Sequence, residues 1–127
     1  MQVGREEVAE YLEEVKRLIR KGNYQIAMNS NREQNRQLYT EYLIDEKQSE
    51  KILLDLQLEN YAETVQNEHP KFSHEWLYIF GKTVELMRRF EGSDEAVPLY
   101  IKLNKIKNQQ IIVISFHVQK YKLKYPY

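Results

Sequence analysis

The apolar positions of this chain change period part-way along. From Arg5 to Lys21 they recur every three or four residues, so Val8, Leu12, Val15, Leu18 and Ile19 form one stripe of a helix. Glutamates crowd the start of that segment. Lys16, Arg17, Arg20 and Lys21 crowd its end, the order a helix dipole favours, and Gly22 suits the position just past the last turn. Tyr24–Met28 reads as a strand or a turn, and Asn29–Asn35 is polar. Ser30 or Asn31 is placed to cap a second helix running to about Leu43, with Leu38, Tyr42 and Leu43 inward. Ser49 precedes a short helix in "EKILLDL". "LENYAETV" begins either one more helical turn or a strand, and "NEHPKFS", Asn67–Ser73, is a loop built round Pro70.

Beyond this loop the period becomes two. In "EWLYIFGKTVELMRRF", Trp76, Tyr78 and Phe80 alternate with Leu77 and Ile79, Gly81 marks a bulge or hairpin, and Trp76 reads as a core anchor. Glu91–Pro98 reads as a flexible loop. In "LYIKLNKI" Leu99, Ile101 and Leu103 alternate with Tyr100, Lys102 and Asn104, the pattern of a half-buried strand. "KNQQ" turns the chain. The near-continuous apolar run "IIVISFHV" predicts a central strand covered on both faces. The expectation is a single α+β domain over residues 1–127, mainly helical over 1–60 and mainly β-sheet over 61–127. Its N-terminal helices pack on a mainly antiparallel, twisted sheet.

Charge changes the picture more than composition does. The net charge is zero, yet all 19 acidic residues and 13 of the 19 lysines and arginines lie in positions 1–95, a balance of −6. Positions 96–127 hold six lysines and no acid, +6. Such asymmetry points to a polyanion partner; the plainer reading is a lysine-decorated strand pair kept soluble at its edge. The chain has no cysteine, which excludes disulfides, thiolate catalysis and cysteine-ligated zinc. No apolar window is long enough for a membrane helix and the charged N-terminus is no signal peptide, so a cytoplasmic protein is the default and no membrane partner is expected.

If the last two strands pair as a hairpin, Tyr100 and Lys102 share one face with Val113, Ser115 and His117, and the tail brings Lys120, Tyr121, Lys122, Lys124, Tyr125 and Tyr127 close by. That set suits metal-independent RNA cleavage. The 2′-hydroxyl must lose a proton as it attacks phosphorus, the leaving 5′-oxygen must gain one, and the phosphorane between carries added negative charge. Histidine moves protons near neutral pH, lysines hold phosphate, and tyrosines stack on splayed bases. Each residue also has a structural reading: a histidine at a strand end is commonly structural, and most of the ten tyrosines must serve packing. His69 and His74, with Glu68 and Glu75, match no metal-ligand spacing, so neither metal nor cofactor is expected.

Several blocks resemble the MqsR family of type II toxin–antitoxin toxins: "WLYIFGK" (Trp76–Lys82), "PLYIKLNKI" (Pro98–Ile106), "IIVISFH" (Ile111–His117) and "LKYPY" (Leu123–Tyr127), with "VKRLIRKG" and "ILLDLQLENY" upstream. The resemblance implies a RelE-like fold and cleavage of single-stranded mRNA without metal or cofactor. It also implies inhibition by a cognate antitoxin protein, and it leaves a homodimer open. The family's strand tyrosine falls on Tyr100, and its basic residue after "SF" falls on His117. Two positions depart: an expected lysine is Glu63, and an expected glutamine is Leu77. The expected site therefore has Lys82 and Lys102 on the scissile phosphate, His117 moving the proton and Tyr100 orienting it or sharing that task. Lys105, Lys120, Lys122, Lys124, Tyr121, Tyr125, Arg88 and Arg89 are further RNA-binding candidates. The rivals are a module that binds RNA or an acidic protein without cutting, and a degenerate toxin kept as an antitoxin-binding partner.

Overall fold

The computed structural model describes residues 1–127. Helix α1 (Arg5–Arg20) forms on the expected stripe and buries Val8, Tyr11, Leu12, Val15, Leu18 and Ile19. Gly22 stands at φ +78°, with its N–H on the Ile19 carbonyl and the Asn23 N–H on that of Leu18. That pair of bonds closes the helix, and the left-handed conformation suits glycine. Helix α2 (Glu33–Glu41) is shorter than expected. Arg32, not Ser30 or Asn31, precedes it, with no side-chain cap. Tyr42 and Leu43 leave it to form a two-residue strand, because Met87 and Arg88 offer them backbone partners. Helix α3 (Glu46–Leu54) begins before Ser49: Asp45 accepts from the Gln48 N–H and the Gln48 side chain accepts from the Asp45 N–H. Ser49 is buried inside it and bonds to Tyr39 Oη at 2.8 Å. No helix is long and apolar enough to cross a membrane.

Six strands make one curled, mostly antiparallel sheet, so the molecule is α+β: β1 (Tyr24–Ile26), β2 (Tyr42–Leu43), β3 (Tyr61–Gln66), β4 (Trp76–Arg88), β5 (Asp94–Ile106) and β6 (Gln110–Val118). The order is β1-β6-β5-β4-β2, with β3 on the free part of β4 and β1 parallel to β6. The central strand is therefore β5. β6 lies one place from the edge, and beyond the short β1 its outer half has no strand partner. Asn35 fills that gap: its amide donates to the Ala27 and Ile114 carbonyls and accepts the Phe116 N–H, at 2.8–2.9 Å. A short turn round "LEN" leads into β3, so both readings of that segment hold.

Segment 91–98 is mostly strand. Gly92, at φ +66°, turns the chain so that β4 and β5 pair from Met87–Asp94 to Leu77–Asn104. Gly81 marks neither bulge nor hairpin but lies inside β4. A Cβ there would overlap the Tyr125 hydroxyl and come within 2.8 Å of Gln119 Nε2 and Leu123 Cδ1. Its missing side chain lets the C-terminal tail cross the sheet. Trp76 is not a core anchor: it is 45% exposed at the start of β4.

One apolar cluster of 24 buried residues joins all three helices to one face of the sheet, including Val97, Leu99, Ile101 and Leu103 of β5 and Ile111, Val113 and Phe116 of β6. The opposite face carries Tyr100, Lys102 and Asn104 of β5 with Ser115 and His117 of β6. The register slips between Lys102 and Leu103, so Ser115 faces Lys102, Val113 faces Leu103, and Ile114 bulges between them. For this reason Val113 lies in the core, not beside Ser115 and His117 as strict alternation predicts.

Candidate functional site

The face away from the helices is built in rows across the sheet. One runs Glu63, Ile79, Lys102, Ser115; the next runs Gly81, Tyr100, His117. Alternation along β5 puts Tyr100 and Lys102 on this side, and the bulge puts Ser115 and His117 beside them. The Tyr100 and His117 rings stack at 5.2 Å with 12° between their planes, and Lys102 Nζ lies 5.8 Å from the Tyr100 ring centre. The tail roofs part of the face. Leu123 packs with Ala62, Ile79 and Tyr100, and Tyr121 meets Tyr100 edge-on at 6.3 Å.

His117 Nδ1 lies 2.9 Å from the Val118 carbonyl. A carbonyl only accepts, so Nδ1–H donates and Nε2 keeps its lone pair in the neutral ring. Burial lowers the imidazole pKa below 6.5, and the charges of Lys120, Lys102 and Arg32 lower it further, against the opposing bond to Val118. The lowered pKa favours the neutral ring, the form a base needs. Burial also lowers the Lys102 pKa, and Arg32 adds to the effect, while Glu68 and Glu63 oppose it. Tyr100 is 9% exposed. Burial raises its hydroxyl pKa, with the Tyr121 hydroxyl adding to the rise. Tyr100 is a shelf under the imidazole more than a proton carrier.

The other candidates divide. Lys82 pairs with Leu99 and so lies on the helix-covered face, where its charge acts on Lys16. The expected phosphate clamp of Lys82 with Lys102 is corrected: the sheet separates them. Lys105 pairs with Ile111 on the same wrong face, 5.2 Å over the Tyr11 ring and near Glu14. Arg88 is engaged by Glu91, Glu95 and the Tyr42 hydroxyl. Arg89 donates to the carbonyls of Tyr39, Thr40 and Tyr42, closing the C-terminus of α2 from the turn just past β4. Neither arginine is free for RNA. Tyr125 sits over Gly81 as the tail's anchor, not as a base platform. Lys120, Lys122 and Lys124 are exposed and make no ion pair, and Tyr121 is 64% exposed, so these remain accessible.

Arg32 is the group sequence reading missed. A hollow of about 580 Å³ between the first turn of α2 and the outer half of β6 is lined by no apolar residue; Arg32, Ser115 and His117 border it. A second hollow of about 290 Å³, bordered by Lys120, meets the other side of His117. The family's unmatched positions fall on the same face: Glu63 ends the Lys102 row, and Leu77 faces Asn104 one row along. His69 accepts the Lys71 N–H within its own turn. No protein-family model, curated protein sequence or solved structure matches the chain.

Proposed function

We propose that the chain is an endoribonuclease of the mRNA-interferase kind, the toxin of a type II toxin–antitoxin pair with a RelE/MqsR-like fold. The observation that carries this reading is the His117 ring stacked on Tyr100, with its pKa lowered by burial and by the charges of Lys120, Lys102 and Arg32. A neutral imidazole amid cations suits a reaction in which a base removes a proton while charge grows on phosphate. His117 Nε2 takes the 2′-hydroxyl proton as that oxygen attacks phosphorus. Lys102 and Arg32 neutralise the phosphorane. The Lys102 ammonium, made more acidic by burial, protonates the departing 5′-oxygen. The products are a 2′,3′-cyclic phosphate and a 5′-hydroxyl, and both proton transfers balance.

The test is labelled single-stranded RNA with purified protein in EDTA, together with induction in cells. Wild type should cut the RNA and arrest growth, and His117→Ala should do neither. Equal cutting by His117→Ala, Lys102→Ala and Tyr100→Phe overturns the site. Glu63, whose charge reaches Lys102 and Tyr100, favours the second reading, a non-catalytic RNA-binding module. RNA that is retarded but intact is its signature.

A further inference from the structure

Asn35 has a second consequence. By pinning the loop before α2 to the edge of β6, it fixes Arg32 and Gln34 beside Ser115 and His117. Ser115 is 7% exposed and borders the polar hollow, and its hydroxyl makes no hydrogen bond within the chain. That hydroxyl keeps accessible surface in the hollow, so it is free to bond a ligand atom there. Gln34 borders both hollows that meet at His117, and its amide has no partner within the chain either. The Arg32 charge is felt at both Lys102 and His117. Glu33 borders the same hollow with an exposed carboxylate.

We propose that this hollow is the subsite for one nucleoside phosphate of a single-stranded RNA, with Arg32 and the Ser115 hydroxyl holding the phosphate and the Gln34 amide bonding to the edge of the base. The inference rests on the nuclease reading for the identity of the polyanion. An arginine fork with a neighbouring hydroxyl matches phosphate oxygens in number and charge. The hollow's volume is in the range of small-ligand sites. A glutamine amide offers a donor and an acceptor side by side, which match N7 and N6 of adenine and, on an unpaired base, O4 and N3 of uracil. Glu33 opposes the phosphate and limits the affinity.

The probe is a fluorescent 2′-O-methyl oligoribonucleotide, which binds but has no 2′-proton to lose, followed by anisotropy. Arg32→Gln should weaken binding about tenfold or more, the loss expected for a charged hydrogen-bond partner, and Ser115→Ala about threefold. Glu33→Gln should tighten binding. Gln34→Ala should weaken binding about threefold for oligo-A and oligo-U alike, the loss of a neutral hydrogen-bonding amide. Lys82→Ala, on the other face, should match wild type. Wild-type affinity in both Arg32→Gln and Ser115→Ala overturns the subsite, as does wild-type affinity for both oligomers in Gln34→Ala. The gain expected of Glu33→Gln keeps the test decisive should Arg32→Gln unfold, and its absence counts against the subsite. Uncut natural RNA with this binding pattern leaves the subsite standing and removes the nuclease; no binding by wild type removes both.

Discussion

Phe116 and His117 are neighbours on β6, and they live on opposite sides of the sheet. Phe116 is fully buried under helices, touching Tyr39 at 6.2 Å between ring centres. His117 is half-buried beside Tyr100 with cations around it. On β5 the same division separates Leu103 from Lys102. The helix side is closed by apolar packing and contributes stability. The other side is closed only in part, by a tail that needs Gly81 to lie flat, and it keeps its cations within reach of a ligand.

The widest separation is expected from the neighbouring pair. Phe116→Ala should cost about 3–5 kcal/mol in a urea melt, as for other buried aromatics, with its chemistry intact at temperatures where it stays folded. His117→Ala should lower RNA cleavage about 10²–10⁴-fold and leave the melt nearly unchanged. Equal destabilisation by both would erase the distinction between the faces. Asn35→Ala comes next, at about 1–3 kcal/mol for each buried group left unpaired, because the Phe116 N–H and Ile114 carbonyl lose their partner. It should also lower RNA affinity, since Arg32 is no longer held. Gly81→Ala should cost about 1–3 kcal/mol, with the tail newly open to limited proteolysis.

A pH titration gives a smaller effect. The His117 pKa is lowered on folding, so the unfolded chain holds that proton more tightly. Its contribution to stability is present above pH 6.5 and is lost as pH falls through the lowered value. Cleavage should follow the same course, flat near neutrality and falling on the acid side with a midpoint below 6.5; a midpoint above it contradicts the electrostatics of the site. The smallest change is expected of Lys82→Ala and Lys105→Ala, which should cut and bind RNA as wild type does. Loss of cleavage in either would mean that the helix side takes part.

Much of the fold was legible because periodicity reports burial. The stripe on α1, the alternation in β5 and the stop at Gly22 all survive in three dimensions. Tyr100, Lys102 and His117 were legible as a group for the same reason. Lys82 and Lys105 were not, because a residue's face depends on cross-strand register, which turns and bulges set. Arg32 lies in a polar loop with no period at all; only the buried amide of Asn35 brings it to the site, and a lone asparagine carries no such signal. Arg88 and Arg89 look free in the sequence, yet distant carboxylates and helix carbonyls claim them. The Asp45–Gln48 pair was readable as a helix start, and Ser49 distracted from it.

The slip at Ile114 ties these facts together by parity. Odd-numbered residues point into the core before it, Ile111 and Val113, and away from the core after it, Ser115 and His117. Deleting that single residue would join Val113 directly to Ser115 in plain alternation, with the upstream pair still under the helices and the imidazole still facing solvent, whereas ironing the bulge flat with Ile114 kept would force a choice between them. The bulge absorbs one odd residue so that a single ribbon serves both halves, and a straight strand of the same length would have to give one of them up.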